Sequence, residues 1–333
     1  MVLILHANFV ALGKPTTEDL GVFALSTVFR WLIEAVSISS VNAFVLISGW
    51  FGIKSSFKGA LKFIYQILFF LGISFVVALC LGVLESPIHA VLDVFQLTPY
   101  DWFIKSYFVL MILAPLLNQF KTLEVATQRN ILLLFFGFEA VYGWVAGGSR
   151  FFVSGYGPLH LMGIYLLGQY LHSSLPFEDG NHCLNRICKR LFNFGPVANL
   201  MLYLLCSAMI AVMGLVDLKM TGGTWVNTIL AYSSPLVVLA AVFLFLTFVR
   251  MEVKQSNFIN WLGASSFAVY LLHGDPIIRH KLFIPIIQEI NSQSSGLKAF
   301  LFIGVFLVAL YLLACLVDQI RIITWSRLSR RLS

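Results

Sequence analysis

A histidine stands inside the apolar run that opens the chain. His6 has no charged residue beside it within residues 1–12. An ionisable side chain at membrane depth is costly and commonly has a function. Imidazole is the side chain best suited to accept a proton near neutral pH. The residue type and its setting therefore predict an intramembrane general base at His6, and the alternative is a histidine that only packs.

A second polar interruption lies in the next long apolar segment. Ser48 and Gly49 interrupt it, and Lys54 and Lys58 follow directly in a basic loop. A glycine lets a backbone or a ligand approach closely, and basic side chains can hold the phosphates of a nucleotide-like ligand by charge. The alternative is that the small residues pack helices and the lysines mark the cytoplasmic side of the membrane.

Other ionisable residues lie near the ends of further apolar segments. Glu34, Arg150, His160 and His273 are candidates for binding a substrate. An arginine such as Arg150 can orient an anionic or hydroxyl-rich molecule or stabilise an oxyanion. For the two histidines the alternative is an interfacial position, where an amphipathic side chain is comfortable.

The elements that must position these residues are membrane helices. The chain has 333 residues, of which 59% are hydrophobic and only 11% charged, whereas soluble domains are about a quarter charged. One span takes about 20 residues, and long apolar runs without alternation favour helices over a barrel. The sequence predicts an all-α, polytopic transmembrane bundle of about ten spans. They are expected at residues 1–12, 35–53, 63–84, 102–118, 131–146, 157–171, 196–216, 228–249, 258–273 and 298–320.

Basic residues are distributed unevenly between the two sets of loops. Fourteen of the 22 Lys and Arg fall in one set and in the tail after Asp318. The positive-inside rule places that set in the cytoplasm, with both termini inside. A multi-pass protein of the plasma or inner membrane is expected, with the lipid bilayer as a partner. The net charge of +7 then reflects topology, and no nucleic-acid partner is expected.

The ends of the chain and its cysteines add three expectations. The first span is too short to cross a bilayer, so we expect it to be truncated at its N-terminus. One transmembrane domain is predicted over residues 1–320, with a basic cytoplasmic tail over 321–333. Cys183 and Cys188 beside His182 are too sparse for a convincing metal site, and no metal is expected.

Four ordered sequence segments resemble the membrane-bound acyltransferase 3 family over essentially the whole chain. Leu5–Asn8 resembles the end of the family's first span, and residues 42–54 its second-span signature around Ser48 and Gly49. Residues 102–118 resemble its tyrosine and Pro-Leu-Leu-Asn segment, and residues 265–273 its late Tyr-Leu-x-His element. The family's first-span motif places a basic residue before the histidine, and that position falls before Met1.

The resemblance implies about ten helices, a cytosolic acyl-CoA donor and acylation of a hydroxyl group. Acetyl-CoA or another acyl-CoA is the expected donor substrate, and an envelope, capsular or other exported glycan is the expected acceptor. His6 corresponds to the family's functional histidine, as proton acceptor or acyl carrier. Ser48 and Gly49 correspond to motif positions, and with Lys54 and Lys58 they are the predicted donor-binding residues.

Two other functions remain open from the sequence. A transporter or flippase for a glycan or a lipid-linked precursor also suits short spans and polar groups near the midplane, although no inverted repeat is visible. A purely regulatory or structural membrane protein leaves His6 and the ordered motifs unexplained. No G-x-S-x-G elbow is present, so a hydrolase of that type is disfavoured.

Overall fold

The computed structural model describes residues 1–83, 102–146, 152–175, 193–294 and 296–330. Within these ranges all regular secondary structure is helical, which confirms the predicted all-α class there. Five helices of the described chain are long and apolar enough to cross a membrane: Ala24–Phe51, Phe57–Cys80, Trp102–Thr122, Pro196–Thr221 and Gly296–Ser329. Val2–Ala11 and Pro235–Arg250 are shorter apolar helices. The count of ten spans stays a prediction.

The chain forms two compact units. The central unit comprises Pro15–Ser55 and Phe103–Glu252, together with Met1. The terminal unit comprises Val2–Lys14, Ser56–Trp102 and Val253–Ser333. His6 and His273 therefore belong to the terminal unit, whereas His160 and the Ser48–Gly49 pair belong to the central unit.

Helices of the central unit pack mainly as neighbouring pairs. Their bounds are α2 Thr17–Val22, α3 Ala24–Ile38, α4 Ser40–Phe51, α6 Trp102–Leu117, α7 Val125–Glu139, α8 Pro158–Ser174, α9 Pro196–Thr221, α10 Val226–Ile229 and α11 Pro235–Arg250. Helix α4 packs on α8, and α9 packs on α11. Helices α3 and α4 form one 28-residue apolar segment, Ala24–Phe51, which begins eleven residues before the predicted second span at 35–53.

Glycines determine how closely α4 and α8 approach. A Cβ on Gly49 would lie 2.1 Å from the carbonyl oxygen of Tyr165, and a Cβ on Gly168 would lie 2.4 Å from that of Leu46. Neither distance is compatible with a side chain, so both positions require glycine for backbone contact. This contact holds the residues on α4 and α8 in fixed register.

A polar cap begins the helix that precedes the first long apolar segment. Thr16 accepts a hydrogen bond from the Asp19 backbone, and the Asp19 carboxylate accepts from the backbone and the hydroxyl of Thr16. The pKa of the Asp19 carboxyl lies below its usual range because the carboxylate accepts these hydrogen bonds. The hydrogen bond from the Thr16 backbone contributes most, and that from the Thr16 hydroxyl comes second. The cap satisfies backbone groups that α2 would otherwise leave without partners.

The part of the terminal unit that the structure describes is built around two long helices. Its elements are α1 Val2–Leu5, α5 Phe57–Cys80, α12 Asn257–Ala264, α13 Ser266–Gly274, α14 Pro276–Ile278, α15 Ile284–Gln293 and α16 Gly296–Ser329. Helix α13, which carries His273, packs against α1, α5 and α16. Within α16, Arg321 donates to the buried carboxylate of Asp318 at 2.6 and 3.1 Å. The helix runs through residue 320 without a break, where the sequence predicts the start of the tail.

In the described residues, three short π-helical segments interrupt the α-helical pattern, at His6–Ala11, Ala140–Val145 and Arg279–Phe283. Such segments are rare and occur frequently at functional sites. The first begins at His6, the second directly follows Glu139, and the third lies six residues beyond His273. His6, Glu139 and His273 therefore each lie at or close to a π-helical segment.

Candidate functional site

The terminal unit brings two predicted site residues into contact. Nδ1 of His6 lies 3.1 Å from Nε2 of His273, although the two residues are 267 positions apart. Nδ1 of His273 lies 2.5 Å from the carbonyl oxygen of Val269, one helical turn earlier on α13. His273 is buried, and His6 is half-buried. The side chain of His273 is therefore enclosed by protein.

Hydrogen-bond direction fixes the tautomers of this histidine pair. A carbonyl oxygen only accepts, so Nδ1 of His273 carries a proton. In the neutral pair, Nε2 of His273 is then an acceptor, and Nδ1 of His6 donates to it. Nε2 of His6 consequently keeps an unprotonated lone pair, and the described residues give it no hydrogen-bond partner. The Val269 carbonyl thus sets, through His273, which nitrogen of His6 can accept a proton.

Neighbouring side chains hold the pair in place. The ring of Phe283 lies 5.5 Å from that of His273, and the ring of Tyr270 lies 6.2 Å from it, edge-on. Asp275 accepts hydrogen bonds from the backbone N–H groups of Ile277 and Ile278. It thereby caps the N-terminus of α14, directly after the helix α13 that carries His273. The Ser74 hydroxyl also donates to Asp275, which ties this turn to α5.

The central unit places His160 at the middle of a second hydrogen-bond chain. Its Nδ1 lies 2.8 Å from Oε1 of Glu139, and its Nε2 lies 2.9 Å from Oδ1 of Asn42. Nδ2 of Asn42 donates to the Tyr232 carbonyl at 2.9 Å. His160, Glu139 and Asn42 are at most 1% exposed. His160 therefore lies inside the protein, with hydrogen-bond partners on both sides of its ring.

This second chain holds a defined number of protons. The Tyr232 carbonyl fixes the Asn42 amide, so Oδ1 of Asn42 faces His160 and must accept a hydrogen bond from its Nε2–H. One further proton lies between Nδ1 of His160 and Glu139. Both ring nitrogens of His160 therefore take part in hydrogen bonds. The other carboxylate oxygen of Glu139, Oε2, is buried and has no hydrogen-bond partner among the described residues.

The predicted donor-binding residues near the end of α4 have different surroundings. The Ser48 hydroxyl donates to the Phe44 carbonyl and lies 3.1 Å from the Tyr107 hydroxyl. The space beside Gly49 is filled by the backbone of Tyr165, which is the helix-packing alternative. Lys54 and Lys58 are exposed. A donor-binding role of these four residues stays a prediction.

Directly after α4, a polar cluster holds the chain. The Tyr165 hydroxyl accepts from the Ile53 N–H at 2.8 Å and donates to Oδ1 of Asn118 at 2.6 Å. Nδ2 of Asn118 donates to the Ile53 carbonyl at 3.1 Å, and Nε2 of Gln169 donates to Oδ1 of Asn118 at 2.7 Å. We call Ile53, Asn118, Tyr165 and Gln169 the Asn118 cluster. It fixes both polar backbone groups of the residue before Lys54.

The remaining predicted substrate-binding residues are Glu34 and Arg150. Glu34 is 4% exposed on α3, one turn from Arg30 along the helix. Arg150 lies outside the described residues, as do Cys183, Cys188 and His182. Within the described chain, no group of three or more His, Cys, Asp or Glu side chains could hold a metal ion.

Comparison with known proteins identifies the family. A family model described as an acyltransferase domain matches residues 1–318. The chain belongs to the acyltransferase 3 family. No curated protein and no solved structure matches the chain. The family and the long apolar helices make this acyltransferase 3 protein a membrane acyltransferase.

Sequence reasoning missed several residues of the acyltransferase 3 protein that the structure brings together. Glu139 is an acid inside an apolar run, and that signal could have pointed to it. Asn42 and Asn118 stand within the motifs that carry the family resemblance, yet nothing in the sequence connects them with His160 or Gln169. These partners depend on helix packing between distant segments.

Proposed function

We propose that this protein transfers an acyl group, in particular an acetyl group, from cytosolic acyl-CoA to a hydroxyl of an envelope or exported glycan. The observation that supports this function best is the chain from the Val269 carbonyl through His273 to His6. It orients a histidine whose Nε2 can accept a proton. A reaction that begins by deprotonating a hydroxyl needs such a base.

In the proposed mechanism, His6 takes the proton of the glycan hydroxyl that accepts the acyl group. The hydroxyl donates to Nε2 of His6 and loses its proton as the oxygen attacks the thioester carbonyl. A tetrahedral intermediate forms, the C–S bond breaks, and the coenzyme thiolate takes up a proton from the imidazolium. The products are an O-acyl ester and free coenzyme A thiol. His273 donates no atom to the products and acts by orienting His6.

His6 as an acyl carrier is the variant of this mechanism. Nε2 of His6 would then attack the thioester, and the acyl-imidazole would pass the group to the hydroxyl. Rapid mixing with labelled acyl-CoA in the absence of acceptor separates the two. A stoichiometric burst of thiol with label bound to the protein indicates the carrier, and its absence indicates the base.

We assign the donor to the cytoplasmic side, near Ser48, Gly49, Lys54 and Lys58. The exposed lysines carry the charge that phosphate groups require, and the Asn118 cluster fixes the backbone directly before Lys54. The sequence predicts Glu34, Arg150, His160 and His273 as substrate-binding residues. For His160 we propose only an indirect role, because both of its ring nitrogens are engaged.

Transfer by the purified protein tests the proposed activity. The protein in liposomes receives radiolabelled acetyl-CoA and a hydroxyl-rich glycan, and both the released thiol and the label on the glycan are measured. We expect the two to rise in equal amounts and only when the glycan is present. Movement of labelled glycan across the bilayer without thioester consumption would instead support the transporter.

The proposed location is the plasma or inner membrane with both termini in the cytoplasm. The motivation is that fourteen of the 22 Lys and Arg fall in one set of loops and the tail. Lys58→Cys and Arg330→Cys should react with a membrane-impermeant thiol reagent only after the membrane is opened. Asp217→Cys should react in intact cells, and the reverse pattern would invert the assignment of the donor side.

A further inference from the structure

The π-helical segment that begins at His6 ends on a hydrogen bond from another helix. Nε2 of Gln288, on α15, donates to the carbonyl oxygen of Ala11 at 3.0 Å. Ala11 is the last residue of the segment and is 1% exposed. The last carbonyls of a helix have no partner within it, and a buried backbone carbonyl needs one. Gln288 supplies that partner.

Ala11 is coupled directly to His6 through the π-helical geometry. In a π-helix the N–H of one residue bonds to the carbonyl five positions earlier, so Ala11 bonds back to His6. Such geometry is rare, and the commoner α-helical bonding would change the turn of the backbone between these two residues. A contact that holds the Ala11 carbonyl therefore also determines how the ring of His6 is directed.

The helix that carries Gln288 also contacts the partner of His6. It continues directly from the third π-helical segment, which ends at Phe283. The ring of Phe283 lies 5.5 Å from that of His273. Residues 279–293 thus form one helical segment that contacts His273 near its start and the His6 segment through Gln288. This segment determines the relative position of the two rings of the pair.

We propose that Gln288 is a positioning residue for His6. Its hydrogen bond to Ala11 holds the π-helical segment so that Nδ1 of His6 donates to Nε2 of His273, which leaves Nε2 of His6 unprotonated. Gln288 acts through the backbone of the first helix. The effect on turnover rests on the proposed function, whereas the effect on the tautomer of His6 can be measured without acyl transfer.

Two glutamines of α15 offer a matched pair of substitutions. Gln288 and Gln293 are both exposed, and Gln293 donates to Glu289 of its own helix. Gln288→Leu removes the donor to Ala11, whereas Gln293→Leu removes a hydrogen bond that does not reach the His6 segment. Gln288→Lys keeps an N–H donor at the same position. Leucine, lysine and glutamine have similar helix propensities, so α15 should persist in every variant.

Nitrogen NMR of protein that carries isotope-labelled histidine measures the tautomer of His6, because protonated and unprotonated ring nitrogens differ in chemical shift. The chain has seven histidines, and the signals lost in His6→Gln identify those of His6. At a pH where imidazole is neutral, wild-type His6 should carry its proton on Nδ1. An unconstrained neutral histidine prefers the Nε2–H tautomer, so Gln288→Leu should populate that tautomer at His6. Gln293→Leu and Gln288→Lys should retain the wild-type tautomer.

Turnover measures the consequence for the proposed reaction. Gln288→Leu should lower kcat about fivefold, the rate equivalent of one hydrogen bond. The KM for acetyl-CoA should stay unchanged, because the residues to which we assign the donor belong to the central unit. Gln288→Lys should recover part of the rate, and Gln293→Leu should match the wild-type protein.

A wild-type His6 that carries its proton on Nε2 would overturn the proposal, and that result requires no variant. So would a Gln288→Leu protein that keeps the wild-type tautomer, even if its turnover falls. An equal change of tautomer in Gln293→Leu would overturn it as well. Absence of acyl transfer by the wild-type protein would contradict the proposed function instead, and the tautomer measurement would still decide the role of Gln288.

Discussion

His6 and His160 are both histidines within apolar helices, yet their ring nitrogens are used differently. Nδ1 of His6 contacts His273, and its Nε2 has no hydrogen-bond partner among the described residues. Both nitrogens of His160 are hydrogen-bonded, one to Glu139 and one to Asn42. A residue type at membrane depth therefore does not identify a base. The hydrogen bonds that remain available do.

The difference has a direct chemical consequence. His6 can accept a proton without losing a hydrogen bond, so protonation is coupled to no rearrangement. His160 can accept another proton only if the hydrogen bond with Glu139 or Asn42 is reorganised. The pair of the terminal unit thus suits proton transfer, whereas the chain of the central unit suits a fixed structure.

Replacing His6 should have the largest effect. In His6→Gln the amide can still donate to Nε2 of His273, but the amide has no basic nitrogen that can take the proton of the substrate hydroxyl. We expect turnover to fall by about 10²-fold or more, the usual scale for loss of a general base. The measurement is acyl transfer per folded protein, with unfolding in detergent as the control. Near-normal turnover would make His6 a packing residue, with no chemical role that distinguishes it from His160.

Replacing His273 should have a smaller effect on the same reaction. In His273→Leu the Val269 carbonyl no longer sets the tautomer of His6, and a positioning residue of this kind is worth about 10–100-fold. The pH profile of turnover should change as well, because the imidazolium of His6 loses its neighbour. His273→Gln should recover part of the rate. Loss of rate with an unchanged pH profile would indicate that His273 only packs.

Replacing Glu139 should affect stability more than turnover. In Glu139→Gln the amide N–H can donate to Nδ1 of His160, so every hydrogen bond of the chain persists. Glu139→Leu leaves a buried ring nitrogen without a partner and should lower the free energy of unfolding by about 3 kcal/mol. Both are compared by unfolding in detergent and by turnover of the folded fraction. A large loss of turnover in a stable Glu139→Gln protein would show that the central chain takes part in proton transfer.

Sequence reasoning reached single residues but not their partners. The apolar runs predicted the helical class, and the ordered motifs predicted the family. His6 and His273 were predicted separately, because contact between residues 267 positions apart depends on how α1 and α13 pack. Glu139 was not predicted, although it lies only 21 positions before His160. The close approach at Gly49 was predicted, whereas the Tyr165 backbone as its neighbour required the structure.

The smallest effect is expected at Ser48, and it tests whether the central unit is structural throughout. Ser48→Ala and Tyr107→Phe remove the same hydrogen bond, of 3.1 Å, from opposite sides. If only that bond matters, each should cost about 1 kcal/mol of stability, and the double variant should cost no more than about the same amount. Affinity for acetyl-CoA should then change equally in the two single variants. If Ser48 itself contacts the donor, Ser48→Ala should weaken donor binding and Tyr107→Phe should not. That outcome would give the central unit a direct part in donor binding. Within that unit, only the hydrogen-bond chain of His160, Glu139 and Asn42 would then be purely structural.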